Sequence, residues 1–184
     1  MIGDRWGVTD AEVARRYPCD DDVRSPTLQA WRGVTARAPA DRVWPWVTQI
    51  RLAPYSYDWI DNLGRRSPRE LRGLPEPRPG EPFTAAFGGR PTGRILSVEP
   101  GVQLTGMIMG AAMSYVLVPD GGAATRLLLK VVAAPGRPAV SRLLCVGDLV
   151  MARRQLRTFA RLAEAAAGAT PRPGHGHHVQ GGER

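Results

Sequence analysis

Apolar and polar positions change their period along the chain, and the changes mark out its elements. Thr9 to Arg16 reads as a short helix, with Thr9 and Glu12 at capping-box spacing. Cys19 to Asp22 and Ser25-Pro26 form a polar connector. Leu28 to Ala38 alternates imperfectly, with Trp31 and Val34 set between Arg32 and Arg37, and predicts a first strand. Pro39 then stands at a helix start, where its missing N–H would be unpaired anyway, and Asp41 suits the positive end of the helix dipole. Val43, Trp44, Val47 and Ile50 recur at helical spacing, while Pro45 should kink or divide this helix. Tyr55 to Leu63 predicts a second short helix that puts Tyr55, Trp59 and Leu63 on one face, with Gly64 as its stop.

Arg65 to Pro82 is rich in Pro, Arg and Gly and predicts a loop longer than is usual in compact domains, a lid or simply a mobile segment. Beyond it the pattern has strand period. Four runs, Phe83 to Phe87, Gly93 to Glu99, Val102 to Met109 and Ala112 to Val118, are separated by Gly88-Gly89, Pro100-Gly101 and Gly110. Asp120-Gly121-Gly122 is the strongest hairpin signal, and Ala124 to Val132 follows as a fifth run. There Thr125, Leu127, Leu129 and Val131 share one face, and Arg126, Leu128, Lys130 and Val132 the other. After Pro135 to Pro138 comes a helix, clearest from Asp148 to Ala167, with an apolar stripe of Leu149, Ala152, Leu156, Phe159 and Ala163. Thr170 to Arg184 has almost nothing apolar and is expected to be a disordered tail, leaving residues 1–168 as one domain.

This order predicts an α+β fold. One antiparallel sheet needs a cover for its apolar face, and the last helix has a stripe of suitable length. The economical packing wraps a curved sheet around that long C-terminal helix, with the two short helices closing one end. Such a grip leaves space between sheet and helix that side chains need not fill.

Composition adds modest constraints. The formal net charge is +8, yet Lys130 is the only lysine among 25 basic residues. Arginine, alanine, glycine and proline are abundant together, which fits a GC-rich coding bias and scattered charge better than a nucleic-acid site, so no nucleic-acid partner is expected. No apolar run is long enough to span a membrane, and the best, Leu143 to Ala152, contains Asp148. With no signal-peptide core at the start, a cytoplasmic protein without membrane insertion is expected, a monomer or a homodimer. Cys19 and Cys145 are then two free thiols. All three histidines, His175, His177 and His178, lie in the expected tail, so neither histidine-based catalysis nor a metal site is expected, and no cofactor motif is present.

The stretch Ala38-Pro39-Ala40-Asp41-Arg42-Val43-Trp44-Pro45-Trp46-Val47, followed by Tyr55-Ser56-Tyr57-Asp58-Trp59 and Asn62-Leu63, resembles the polyketide cyclase/dehydrase branch of the START-like (SRPBCC) superfamily. Trp6 to Val13 and Met151 to Leu156 look like the same group. The resemblance implies a helix-grip fold with an apolar cavity. It does not imply a reaction, because members bind lipids, hormones or polyketides and only some are enzymes.

The residues themselves suggest where a ligand would lie. Trp46, Arg51, Tyr55, Tyr57 and Trp59 combine ring area with polar handles, and Trp44 belongs to the same cluster. Met107, Met109, Met113 and Tyr115 on neighbouring strands suit an adaptable wall, with Leu149 and Leu156 facing them from the helix. For Trp44 and Trp59 the plainer role, sealing one end of the core, is favoured. Asp58 or a tyrosine such as Tyr55 is the candidate for proton transfer, with Arg51 as charge stabiliser; the plainer role for Asp58 is to cap a helix or to pair with Arg51. Three functions follow: binding of an apolar, lipid- or polyketide-like molecule; a cyclase or dehydratase; or an interaction protein whose cavity is collapsed.

Overall fold

The computed structural model describes residues 3–134 and 138–168, with backbone alone over 138–149. Its strands are β1 (Arg5–Trp6), β2 (Leu28–Ala36), β3 (Thr84–Ala86), β4 (Arg90–Thr92), β5 (Arg94–Glu99), β6 (Gln103–Ile108), β7 (Ala111–Asp120) and β8 (Ala124–Ala133). Its helices are α1 (Asp10–Ala14), α2 (Ala40–Thr48), α3 (Asp58–Asp61) and α4 (Pro138–Gly168), with tighter 3₁₀ turns at Pro18–Asp21 and Gln49–Leu52. Six strands form one sheet in the order β1-β2-β8-β7-β6-β5, and β3 and β4 form a separate hairpin. All pairings are antiparallel except β1 with β2. That parallel edge departs from the antiparallel sheet expected, because a two-residue strand leaves no period to read.

The hairpins form where the turn residues demand them. β7 and β8 pair out to Asp120 and Ala124, closed around Gly121 at φ +67°. Met109 and Gly110, at φ +50° and +80°, make the two-residue turn between β6 and β7. Thr9 caps α1 reciprocally with Glu12. Pro39, expected as the first helical residue, is instead the residue that caps α2, so the helix begins one position later at Ala40, and Pro45 lies inside it.

β8 divides the core in two. Leu127, Leu129 and Val131 face the main cluster, where Ala152, Leu156, Phe159, Ala160 and Ala163 of α4 cover them. Full burial of Leu156 and Phe159 stabilises the fold by roughly 1.5–3 kcal/mol each. Leu128 and Val132 point the other way, with Ala112 and Val116 of β7, beneath Tyr17 and Cys19. The segment read as a polar connector therefore seals the outer face. Its backbone is tied down by a bond from the Cys19 N–H to Ser114 Oγ (2.9 Å) and by an ion pair between Asp20 and Lys130. The Lys130 ammonium also lies 4.9 Å from the Trp31 ring centroid and 5.5 Å from that of Tyr17. Cys19 is a free thiol that burial pushes up to about 11. The side chain of Cys145, that of Leu149 and the whole expected tail lie outside the described residues.

The second short helix is smaller than expected. It spans Asp58–Asp61 only, because Tyr55 and Leu63 both take positive φ, 58° and 50°. Tyr55 and Trp59 thus share no face: Tyr55 is 1% exposed and Trp59 72%. The chain from Arg65 to Pro82 has neither helix nor strand, yet it is strapped to α2 and the turn that follows. Gln49 donates to the Glu70 carbonyl and accepts from the Arg72 N–H, Trp44 Nε1 donates to Glu76 (3.0 Å), and the Gly80 N–H donates to the Ile95 carbonyl.

Gly106 of β6 fixes how closely this strap delivers Phe83 to the sheet. A Cβ at Gly106 would lie 2.1 Å from the Phe83 ring, which is 1% exposed and would have to shift. Gly106→Val is expected to destabilise the fold by about 1–3 kcal/mol, read as a lower urea midpoint; an unchanged midpoint would show that the ring yields freely.

Candidate functional site

A cavity of about 600 Å³ lies between the inner face of the sheet and α4. Met113 and Tyr115 of β7, Leu129 and Val131 of β8, and Leu28 of β2 form its sheet wall. Met151, Ala152 and Gln155 close it from α4, and Phe83 with Ile50 from the strap side. The β3–β4 and β6–β7 turns bring Phe87 and Met109 to its rim, where they are 48% and 87% exposed. The gap follows from size and register. Ala152 brings only a methyl group to the wall, while Tyr115 is held back against its neighbours. Its ring packs edge-on to Phe159 at 6.4 Å and is tilted against Phe83 at 6.3 Å.

Few polar groups enter the wall. The Tyr115 hydroxyl donates to Gln155 Oε1, and Gln155 Nε2 donates to the Pro54 carbonyl, so this pair is satisfied within the protein. Ser56 and Asp61 differ. Each is 8% exposed, and Ser56 Oγ donates to Asp61 Oδ2. Asp61 Oδ1 is buried with no hydrogen-bond partner. Burial pushes this carboxyl above its ordinary range; the Ser56 bond opposes that, and the neighbouring Asp58 carboxylate adds to it.

Some residues singled out in the sequence reach this cavity and others do not. Met113 and Tyr115 are in the wall, and Met109 is on the rim. Met107 faces the outer cluster, because it pairs with Ala112 while Gly106 pairs with Met113, and adjacent residues alternate faces. Leu156 and Tyr55 are buried in the core without lining the cavity. Burial pushes the Tyr55 phenol up to about 12, so it stays protonated, and its oxygen accepts from Gln49 Nε2. Trp46 is 3% exposed in the main core, and its Nε1 finds no partner there.

Arg51 does not pair with Asp58. It is bound to Glu81 (3.2 Å), to the Thr48 carbonyl (3.1 Å) and to the Pro75 carbonyl, and so clamps the strap. Asp58 begins α3 and accepts from the Ser67 N–H (3.1 Å) and hydroxyl (2.5 Å). Tyr57, Asp58 and Trp59 line a separate, more polar cleft of about 380 Å³ with Arg66, Arg69 and Arg154. There the Arg154 guanidinium lies 4.7 Å from the Tyr57 ring centroid and donates to the Ser56 carbonyl.

Asp61, Ser56, Phe83, Met151 and Gln155 had not been singled out. The Ser56–Asp61 pair is five residues apart, neither a helical nor a strand spacing, because Ser56 precedes α3 and Asp61 is its last residue. Among the described residues, no three of His, Cys, Asp and Glu come together to hold a metal ion, and no helix is long and apolar enough to cross a membrane.

The raised Asp61 carboxyl has a definite pH signature. A folded-state value above the unfolded one gives a stability contribution that is present at low pH and lost as pH rises through the folded value. Asp61→Asn removes that loss. The variant is expected to gain melting temperature over the parent progressively as pH is raised from about 4; a constant difference across the range would contradict the assignment.

No family model and no curated protein matches the chain. Solved structures do. A protein from Mesorhizobium loti superposes with a TM-score of 0.52 at 17% identity, covering 74% of this chain and 97% of its own. The self-sacrificing resistance protein CalC from Micromonospora echinospora gives 0.51 at 14% identity, over 78% and 98%. A polyketide-cyclase-like protein from Corynebacterium glutamicum gives 0.50 at 13% identity, over 85% and 100%. The chain therefore shares the fold of these proteins, a sheet gripping a long C-terminal helix.

Proposed function

We propose that the protein binds an apolar or aromatic small molecule, lipid- or polyketide-like, in the cavity between the sheet and α4. The observation that carries this reading is the cavity itself. Its volume of about 600 Å³ falls within the span of small-molecule sites, and its wall is aliphatic and aromatic with a few placed polar groups. The fold supports the reading, because it is shared with a polyketide-cyclase-like protein. A collapsed cavity is not what this geometry offers. The cyclase or dehydratase alternative draws no support from Asp58, Arg51 or Tyr55, whose polar groups are engaged outside the cavity.

Native mass spectrometry of the purified protein, followed by denaturation and identification of what is released, tests this directly. The expected result is a stoichiometric apolar passenger, or an empty protein that aromatic polyketides or lipids stabilise. At a ligand concentration of 100 times Kd the gain is about 2.7 kcal/mol. Ala152→Phe projects a ring into the cavity from α4 and is expected to weaken binding at least about tenfold while the protein stays folded. An empty protein with no gain from any of these compounds would contradict the reading.

A further inference from the structure

We propose that Asp61 is the polar anchor of the cavity, and that the ligand carries a basic amine whose protonated nitrogen pairs with Asp61 Oδ1. This rests on the binding reading above and gives it a chemical class: an apolar or aromatic amine.

The geometry is that of a half-occupied acceptor. Asp61 ends α3, and its backbone is fixed on both sides. Its N–H donates to the Tyr57 carbonyl (3.1 Å), and its carbonyl accepts from the Phe87 N–H (2.8 Å). The side chain is in the cavity wall with Ser56, which holds Oδ2. Oδ1 is left buried and unpartnered. A buried polar group without a partner is costly to keep, so it points to something that binds there.

The charge balance selects the partner. Arg154, which reaches the neighbouring Ser56 carbonyl from α4, is stacked on Tyr57. Asp58, on the same short helix, is an acid and adds repulsion. No ion pair to Asp61 occurs among the described residues. A ligand hydroxyl would satisfy Oδ1 but leave a buried negative charge uncompensated. An ammonium does both, and a charge-assisted bond of this kind is about twice as strong as a neutral one. The rings of Phe83, Phe87 and Tyr115 in the same wall also favour a cation. The net charge of +8 opposes a cation at long range, but that field is screened beyond about 8 Å at physiological salt, so the contact decides.

The test uses three probes on one skeleton, 2-naphthylmethylamine, 2-naphthalenemethanol and 2-naphthoic acid, titrated into the full chain and into Asp61→Asn by calorimetry at pH 7. In the parent protein the amine is expected to bind about tenfold or more tighter than the alcohol, and the acid weakest. In Asp61→Asn, which keeps the shape and a partner for Ser56, the advantage of the amine over the alcohol is expected to vanish. Equal binding of amine and alcohol to the parent protein would overturn the proposal and leave the binding reading standing, as would an amine advantage that survives in Asp61→Asn. If none of the probes binds, this proposal falls, while the binding reading is decided separately by the passenger and stabilisation measurements above. Should Asp61→Asn fail to fold, the ranking of the three probes on the parent protein still decides.

Discussion

The packing of α4 against the inner face of the sheet is the contact on which the rest depends. Leu127, Leu129 and Val131 make a row of side chains that water cannot be allowed to reach, and α4 is the cover that Leu156 and Phe159 pin down. The same helix sets the cavity. Towards its C-terminal half, Ala160 and Ala163 are part of the closed core. At Ala152 the facing groups are the methionine and aliphatic residues of β7 and β8, and an alanine is too small to fill the distance. One helix therefore both excludes water from the core and leaves the space that a ligand can enter.

The opposite face imposes a second constraint. Leu128 and Val132 are as apolar as their inward-facing neighbours, so this sheet could not stand with one side in water. The N-terminal segment solves this with Tyr17 and Cys19, held by Lys130 through Asp20 and by Arg126 through a two-point pair with Glu12 (2.8 and 2.9 Å). The two cations on the outward side of β8 thus act as fasteners for the cover. With both faces closed, most polar groups near the site are already engaged: Arg51 in the strap, Asp58 on Ser67, Tyr115 on Gln155. Within the cavity wall Asp61 is set apart, because one of its oxygens is not.

Much of the fold was legible in the sequence because it rests on periodicity and turn chemistry. The split of β8 between two faces, the hairpin at Asp120-Gly121-Gly122 and the stripe of α4 all come from residue spacing that backbone geometry enforces. What was not legible depends on conformations that period does not encode. Tyr55 and Leu63 adopt positive φ, so a helix read across them shrank to one turn and their neighbour Trp59 turned to solvent. Met107 was placed with Met109 and Met113, whereas the register of β6 against β7 sends it outward. The wall at Met113 and Tyr115 was legible, since adaptable and aromatic side chains on adjacent strands suit it. Its acidic pole at Asp61 was not, because Asp58 carried the same chemistry three residues earlier and only the folded chain separates the two.

The inner and outer faces of the same strands supply the most direct test of the central claim, that a ligand sits between the sheet and α4. Methyl-labelled protein would be titrated with the molecule released from it, or with a naphthalene probe, and followed by two-dimensional NMR. The account predicts that the methyl signals of Met113, Met151, Leu129 and Val131 move together, while those of Met107, Leu128 and Val132 stay in place. Shifts confined to the outward residues, or to the exposed cleft beside Tyr57, would contradict it.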